Sequence, residues 1–399
     1  MTYHGPLENP LTRRQLLRRA AAGGTFISLP GLLAACGGGD GIEAGGATQA
    51  GTEAAPADTT LAATLRFANW PLYIDVSEDE ETRPTLEQFE REYGVEVEYI
   101  EEINDNEEYF GRIQAPLSQG QSIDRDLMVL TDFMAGRLVE LGWLARLDRN
   151  AIPNASNLLE NYQNVSWDPG RQYSLPWQGG MTGIGYNRRR VGFEITSIDQ
   201  LLDEPSLRGR VTLLSEMGDT VPLVMLAQGN DPSEATAETF DEAIQRIRAA
   251  VDSGQVRQFT GNEYTGMLAR GDVWAAMAWS GDIIQLQFED DALQFVIPES
   301  GGNLWADNML IPNGGDVFTA STFMNYVYDP EVAAQIAAWV NYISPVVGAR
   351  EAMAEIDPEL AENPLIFPDE EMLANVVDTP PEFSNNEEFR EQFQALLGG

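Results

Sequence analysis

The 399-residue chain has no lysine, one histidine and one cysteine, and all 24 of its basic residues are arginine. His4 and Cys36 both lie near the N-terminus, outside the body of the chain. That body cannot form a Ser-His-Asp triad, a Cys-His dyad, a histidine-ligated zinc site, a Schiff-base lysine or a phosphate-loop lysine. Among enzymes only carboxylate chemistry remains, as a glycosidase pair or an oxygen-ligated metal site.

Positive charge is also scarce, because 63 acidic residues give the chain a formal net charge of −39. Such a surface repels nucleic-acid phosphates and anionic lipid, so neither is expected as a partner. Salt screens exposed charge within roughly 10 Å, so the acidity says little about a specific site. It primarily indicates solubility in a salty or acid-rich proteome.

Long apolar runs are absent from the body, where no stretch approaches the about 20 residues that a membrane-spanning helix needs. The N-terminus differs, because a twin-arginine stretch at 12–18 precedes an apolar run that ends in Leu33-Ala34-Ala35-Cys36. This pattern resembles a twin-arginine export signal fused to a lipoprotein signal. It predicts export, cleavage before Cys36 and lipidation of Cys36. The alternative is a short helix with an ordinary buried cysteine.

The segment from Gly37 to Ala63 has few large apolar groups and predicts a flexible tether. The body that follows is larger than one usual core, so two lobes are expected. We predict a signal peptide over 1–35, an anchored tether over 36–63, a first lobe over 64–177 plus 306–350, and a second lobe over 178–305 plus 351–399. This order suits a monomeric receptor held at an extracytoplasmic membrane face, either periplasmic or at the cell surface.

An α/β fold follows from the spacing of apolar residues in the body. A strand at 65–69, a helix at 84–93 ended by Gly94, and an alternating strand at 95–99 form a βαβ unit, which implies a parallel sheet. Further strands are predicted at 126–130, 182–186, 210–214, 273–279 and 295–298. Further helices are predicted at 132–141, 240–251 and 330–343.

Six short motifs resemble, in order and spacing, the spermidine/putrescine-binding proteins of ABC importers. They are Asn69-Trp70-Pro71-Leu72-Tyr73, Asp126 to Phe133, Pro176 to Asn187, Leu213 to Asp219, Ala278 to Asp282, and Leu304 to Asp307. The resemblance covers nearly all of 64 to about 368. It implies the type II periplasmic-binding-protein fold, with two α/β lobes joined by a hinge and a polyamine held in the cleft. It also implies a membrane permease as partner, no enzymatic activity, no cofactor and no metal site.

The resemblance, carried over position by position, implies a set of ligand-facing residues. They are Trp70, Tyr73, Thr131, Phe133, Glu216, Asp219, Trp279, Asp282, Trp305, Asp307 and Tyr342. Pro71 stands where a small polar residue is usual, and Phe133 lacks the hydroxyl of a tyrosine. Nothing near the C-terminus matches the polar residue that the family often supplies there.

Structural roles compete with binding at several of these positions. Trp279 and Tyr342 could belong to the core. Asp219 could cap a helix that begins near Thr220, and Asp132 is predicted to be a helix cap. Tryptophan and tyrosine faces with nearby carboxylates nevertheless suit a methylene chain that bears ammonium groups.

Closure over a ligand requires contacts from both lobes, and we expect a hinge near 176–180 and 305–307. Two alternatives stay open. A receptor for another solute, such as an oligosaccharide, would use the tryptophans without needing several carboxylates, and an extracellular hydrolase could use Glu216 with another acid. The sequence does not separate putrescine from spermidine or spermine.

Overall fold

The computed structural model describes residues 59–77 and 82–398. The predicted signal peptide, Cys36 and most of the predicted tether lie outside these residues. Within the described ranges, no helix combines the length and the apolar character that crossing a bilayer requires.

One mixed sheet organises the described residues. Its strands are β1 (Thr64–Asn69), β2 (Glu96–Glu101), β3 (Leu127–Thr131), β4 (Ser174–Asn187), β5 (Val211–Leu214), β6 (Val256–Thr260), β7 (Ala275–Trp279), β8 (Leu293–Val296), β9 (Gly302–Leu310) and β10 (Val376–Asp378). Their order is β2-β1-β3-β9-β4-β7-β5-β6, with β8 paired to β4 and β10 paired to β9.

Helices follow most of the strands and pack around the sheet. They are α1 (Pro84–Tyr93), α2 (Asn106–Ser118), α3 (Asp132–Glu140), α4 (Glu160–Gln163), α5 (Arg188–Val191), α6 (Ile198–Asp203), α7 (Met217–Ala227), α8 (Ala237–Asp252), α9 (Glu263–Arg270), α10 (Ser280–Gln287), α11 (Val317–Val327), α12 (Pro330–Val340), α13 (Ala349–Ile356), α14 (Pro358–Ala361), α15 (Glu370–Leu373), α16 (Pro381–Asn385) and α17 (Glu387–Leu397). Short 3₁₀ helices span Pro153–Asn157, Pro205–Leu207 and Pro232–Glu234.

The predicted βαβ unit is confirmed, because β1 and β2 are parallel neighbours and α1 connects them. Pro84 begins α1, where its missing N–H costs nothing. Leu86 and Phe89 are buried on one face of the helix. Gly94 ends it in the left-handed conformation (φ 70°) and donates its N–H to the carbonyl of Glu90.

Two long antiparallel strands, β4 and β9, join the two ends of the sheet. Strands β1, β2 and β3 run parallel to one another at one end, and β5, β6 and β7 do so at the other. The first part of β4 pairs with β9, and its last part pairs with β7 and β8. The sequence predicted only 182–186 of this strand. Pro176 lies beside a register shift in the pairing, which accommodates a residue that has no N–H to donate.

The C-terminal segment lies between helices from the two ends of the sheet. Strand β10 pairs with β9, and α16 contacts α3. Helix α17 packs on α8, where the rings of Phe240 and Phe389 stack with centroids 3.9 Å apart. The segment therefore reaches residues near both ends of the sheet, while the predicted lobe boundaries stay a prediction.

Candidate functional site

The carboxyl ends of parallel strands from both halves of the sheet place polar and aromatic residues close together. Trp70 follows β1, Thr131 ends β3, Glu216 comes soon after β5, and Trp279 ends β7. Open α/β sheets commonly bind ligands outside the carboxyl ends of such strands. This edge is therefore the candidate site.

These strand ends line a narrow cavity of about 70 Å³, here termed the site cavity. All of the ligand-facing residues that the sequence indicated line it. They are Trp70, Tyr73, Thr131, Phe133, Glu216, Asp219, Trp279, Asp282, Trp305, Asp307 and Tyr342. The structure thus brings the whole predicted set together, and the contact of each residue with a ligand stays a prediction.

Asp307 is held by two hydroxyl groups. Strand pairing places Thr131 directly opposite Asp307, and the Thr131 hydroxyl donates to Oδ1 at 2.7 Å. The Tyr73 hydroxyl donates to Oδ2 at 2.8 Å. Burial raises the pKa of Asp307 to about 7, and these hydrogen bonds lower it only in part.

Asp219 accepts hydrogen bonds from three side chains that form a row across neighbouring strands. Thr182 lies opposite Asn303 of β9 on one side and Trp279 of β7 on the other. The Thr182 hydroxyl and the Trp279 indole (3.1 Å) donate to Asp219, and the Asn303 amide lies at 3.4 Å. Burial nevertheless raises the pKa of Asp219.

Asp282, in the first turn of α10, is held by tyrosines. The Tyr342 hydroxyl donates to Oδ1 at 2.7 Å, and the Tyr264 hydroxyl donates to Oδ2 at 2.6 Å. Burial raises the pKa of this carboxyl as well. Tyr342 reaches the cavity because Asn341 ends α12 in the left-handed conformation (φ 59°), so the helix predicted to reach 343 stops earlier.

Glu216 contacts the first residue of α2, which belongs to the other end of the sheet. Its Oε1 accepts from the backbone N–H of Asn106 at 2.9 Å and from the Asn106 amide at 3.0 Å. That amide also donates to the Thr131 hydroxyl at 2.8 Å. Burial, with the nearby Asp105 charge, raises the pKa of Glu216 well above its usual value.

The expectation that Asp132 caps a helix is wrong. Thr131 occupies the N-cap position of α3, and Asp132 is the first helical residue. The Asp132 carboxylate instead accepts from the backbone N–H of Ala306 at 3.0 Å and from the Asn308 amide at 2.8 Å. Asp132 therefore fastens α3 to β9, and burial raises its pKa.

The helix-cap alternative for Asp219 is also wrong. Helix α7 begins at Met217 with Glu216 in the N-cap position, so Asp219 lies in the first turn. Its oxygens face the side chains of β4, β7 and β9 rather than the amide groups of α7.

Aromatic rings wall the site cavity. Trp70 and Trp279 meet edge to face with centroids 6.5 Å apart, and the Trp70 indole donates to the carbonyl of Val129 at 3.1 Å. The Trp305 indole donates to the Thr182 hydroxyl at 3.0 Å. Trp305 lies across Gly180, where an added Cβ would come within 2.3 Å of the indole ring. Glycine at 180 therefore makes room for this wall.

Several residues that line the site cavity were not predicted. They include Asn106, Asn262, Asn303, Asp378, Thr379 and Ser384. The polar run at the start of α2 could have drawn attention to Asn106, whereas no local signal marks Thr379. The Thr379 hydroxyl donates to the Asn303 side-chain oxygen at 2.7 Å. Polar groups from the C-terminal segment are thus present where the sequence showed no match.

Negative charge in the site cavity has no basic neighbour among its lining residues. Six acids line it: Asp132, Glu216, Asp219, Asp282, Asp307 and Asp378. Among the residues that the structure describes, no arginine does so. Burial raises the pKa of each acid, to about 6 for Asp378. A cationic ligand would favour the ionised form of these carboxyls.

Comparison with known proteins assigns the family. A model of the family described as "Bacterial extracellular solute-binding protein" matches residues 85–368. The spermidine/putrescine-binding periplasmic protein of Escherichia coli is 26% identical over 333 residues, which cover 83% of this chain and 90% of that protein. The putrescine/cadaverine-binding protein of Pseudomonas aeruginosa is 27% identical, covering 79% of this chain and 88% of that protein.

A solved structure shows the same fold. A putative spermidine/putrescine ABC transporter protein from Listeria monocytogenes superposes with a TM-score of 0.73 at 25% identity, covering 84% of this chain and 98% of that chain. The expected two-lobed type II periplasmic-binding-protein fold is confirmed by this likeness. The chain therefore belongs to the bacterial extracellular solute-binding protein family.

Proposed function

We propose that this chain captures a polyamine in the site cavity and delivers it to an ABC importer. The observation that supports this function is an acidic, aromatic-walled cavity that no described arginine lines. Neutral hydroxyl, indole and amide groups hold the buried carboxylates in place without cancelling their charge. An ammonium ligand would supply the missing positive charge.

The spread of the acids favours a polycation over a single metal ion. In the described part of the chain, no three acidic, histidine or cysteine side chains come together in a group that could hold a metal. Asp219, Asp282 and Asp307 each have their own set of donors, so they stay apart as separate acceptors. Separate carboxylates suit ammonium groups spaced along a chain, and the tryptophan faces suit the methylenes between them.

The comparisons support the same ligand class, because the Escherichia coli and Pseudomonas aeruginosa relatives are named as polyamine-binding proteins. On this proposal the protein is a binding protein without enzymatic activity. It works as a monomer outside the cytoplasm, and its partner is the permease of the importer. Export by the twin-arginine route and a lipid on Cys36 would hold it at the membrane.

Closure on the ligand belongs to the proposal. The lining residues come from both ends of the sheet, with Trp70 and Thr131 from one and Glu216 and Trp279 from the other. Closure would be favoured by contacts that only the closed form makes. We expect the motion near 176–180 and 305–307, where β4 and β9 pass from one end to the other.

Calorimetric titration with putrescine, spermidine and butane-1,4-diol, at low and moderate salt, tests the function. Saturable binding of an amine that persists in salt, with no binding of the diol, is the expected result, because exposed charge is screened and a buried site is not. Loss of amine binding in moderate salt would contradict the proposal. Binding of a neutral oligosaccharide would select the alternative receptor, and turnover of a chromogenic glycoside would select a hydrolase.

A further inference from the structure

A second cavity, of about 720 Å³, adjoins the site cavity. The two spaces share Phe133, Glu216, Gly218 and Ser384 in their walls. Gly218 leaves the junction narrow but open on its side, because a Cβ there would come within 2.6 Å of the Ser384 hydroxyl. A linear ligand in the site cavity can therefore continue past Glu216 into this second cavity.

The junction lies between Asp105 and Asn106 on one side and Ser215 and Glu216 on the other. The Ser215 hydroxyl donates to Asp105 Oδ2 at 3.2 Å, and Asn106 donates twice to Glu216 Oε1. Glu216 is only 5% exposed. Its second oxygen, Oε2, accepts no hydrogen bond from any residue within 59–77 or 82–398. A buried, unpartnered carboxylate oxygen thus lies where the two cavities meet.

The second cavity is acidic with apolar walls. Its acids are Asp105, Glu107, Glu108, Glu216 and Glu263, and Phe133, Phe259, Phe393 and Leu397 supply apolar surface. Arg390 is the basic residue in its wall, and it lies 4.0 Å from Glu107, which Arg137 also pairs. Among the ion pairs of the described residues, none involves Asp105, Glu216 or Glu263. Burial raises the pKa of Asp105.

We infer that the second cavity is a further ammonium subsite, which receives the distal part of a polyamine with more than two ammonium groups. In this arrangement one ammonium lies between Asp105 and Glu216, and the methylenes beyond it pack on the apolar wall. A diamine is held by the site cavity alone. The inference rests on the proposed function and extends it to a preference for longer polyamines.

The test compares spermine and putrescine binding by calorimetry in the full chain and in Asp105→Asn. Asp105 is the N-cap of α2, and asparagine is an equally good N-cap, so the helix is preserved. A charge-assisted hydrogen bond is worth about 1.5–3 kcal/mol, so spermine affinity should fall roughly tenfold or more. Putrescine affinity should change less than about twofold.

Asp369→Asn is the matched control, because Asp369 also caps a helix, through the Met372 N–H, and lines neither cavity. It removes the same charge and should leave both affinities unchanged. A second variant, Glu263→Gln, alters an exposed acid of the second cavity and should cause a smaller loss that is again confined to spermine.

Equal losses for spermine and putrescine in Asp105→Asn, or no loss for either, would overturn the inference and leave the proposed function standing. An equal spermine loss in Asp369→Asn would reduce the effect to net charge and overturn it too. No binding of any amine to the unaltered chain would overturn the proposed function, and the inference with it. If Asp105→Asn does not fold, the selective loss in Glu263→Gln decides.

Discussion

The Tyr73 hydroxyl lies 2.8 Å from the Asp307 carboxylate, although the two residues are 234 positions apart in the sequence. Thr131 donates to the other oxygen, so both oxygens are held in place by neutral donors. The carboxylate is thereby oriented before a ligand arrives. Because neither donor is charged, Asp307 retains a full negative charge to offer when it is ionised.

Asp307→Asn should weaken polyamine binding while leaving the fold intact. The amide keeps the size of the side chain but loses the charge that strengthens a hydrogen bond to an ammonium group. A loss of about 1.5–3 kcal/mol corresponds to roughly tenfold to 150-fold in the dissociation constant measured by calorimetry. The Asp369→Asn variant, altered away from the site cavity, should bind normally. Unchanged affinity in Asp307→Asn would remove this residue from the ligand contacts.

Gly180→Ala should weaken binding without altering any predicted ligand contact directly. The new methyl group would lie within 2.3 Å of the Trp305 ring, so the indole must move. We expect a lower affinity together with a changed tryptophan emission spectrum. Gly111→Ala is the matched control, because a Cβ there meets nothing within 4 Å and the position is helical. Equal affinity in Gly180→Ala and Gly111→Ala would show that the Trp305 position does not matter.

Binding should strengthen as the pH rises from about 5.5 to 8. Burial raises the pKa of Asp307 to about 7 in the free protein, so the group is protonated below that pH. An ammonium ligand favours the carboxylate, and polyamine nitrogens with pKa values near 10 stay charged throughout. Affinity should fall by up to about tenfold per pH unit below 7. Calorimetry at pH 5.5, 7 and 8, in which affinity did not fall at the low end, would contradict this assignment.

The free energy of unfolding should show the same group with the opposite trend. The folded-state pKa of Asp307, about 7, is above its usual value of 3.8, so the folded chain binds more protons between these values. Stability from this group is full below about pH 4 and falls as the pH rises to about 7, by up to about 1.4 kcal/mol per unit. Denaturation of the ligand-free chain should show Asp307→Asn gaining stability relative to the unaltered chain over this interval. A constant difference would mean that Asp307 has an ordinary pKa.

The sequence predicted the residues that end apolar strands. Trp70, Thr131 and Trp279 follow or close short strands with a clear apolar pattern, and such strand ends meet at one edge of an open sheet. The parallel βαβ unit with α1 was predictable for the same reason, since Pro84 and Gly94 mark both ends of the helix.

The full length of β4 was not predictable from composition. Proline and glycine are depleted in strands, yet β4 contains Pro176, Gly179 and Gly180. The reason is visible only in three dimensions, where Gly180 makes room for Trp305 and the strand shifts register beside the proline.

Residues that depend on distant partners were also missed. Asn106 lines the site cavity because it contacts Glu216, which lies 110 positions away. Thr379 lines it because β10 pairs with β9 and brings the C-terminal segment to Asn303. No local pattern encodes such contacts, because they arise only when separate segments pack together.

A cavity with six acidic side chains, in a chain that has no lysine, has a chemical consequence. A carbodiimide reagent joins carboxylates to primary amines, and apart from the N-terminal amine this polypeptide has none to offer. Amide bonds would therefore form where an amine guest lies against an acid. The attachment point, read by peptide mass spectrometry, would record the position of the guest one carboxylate at a time.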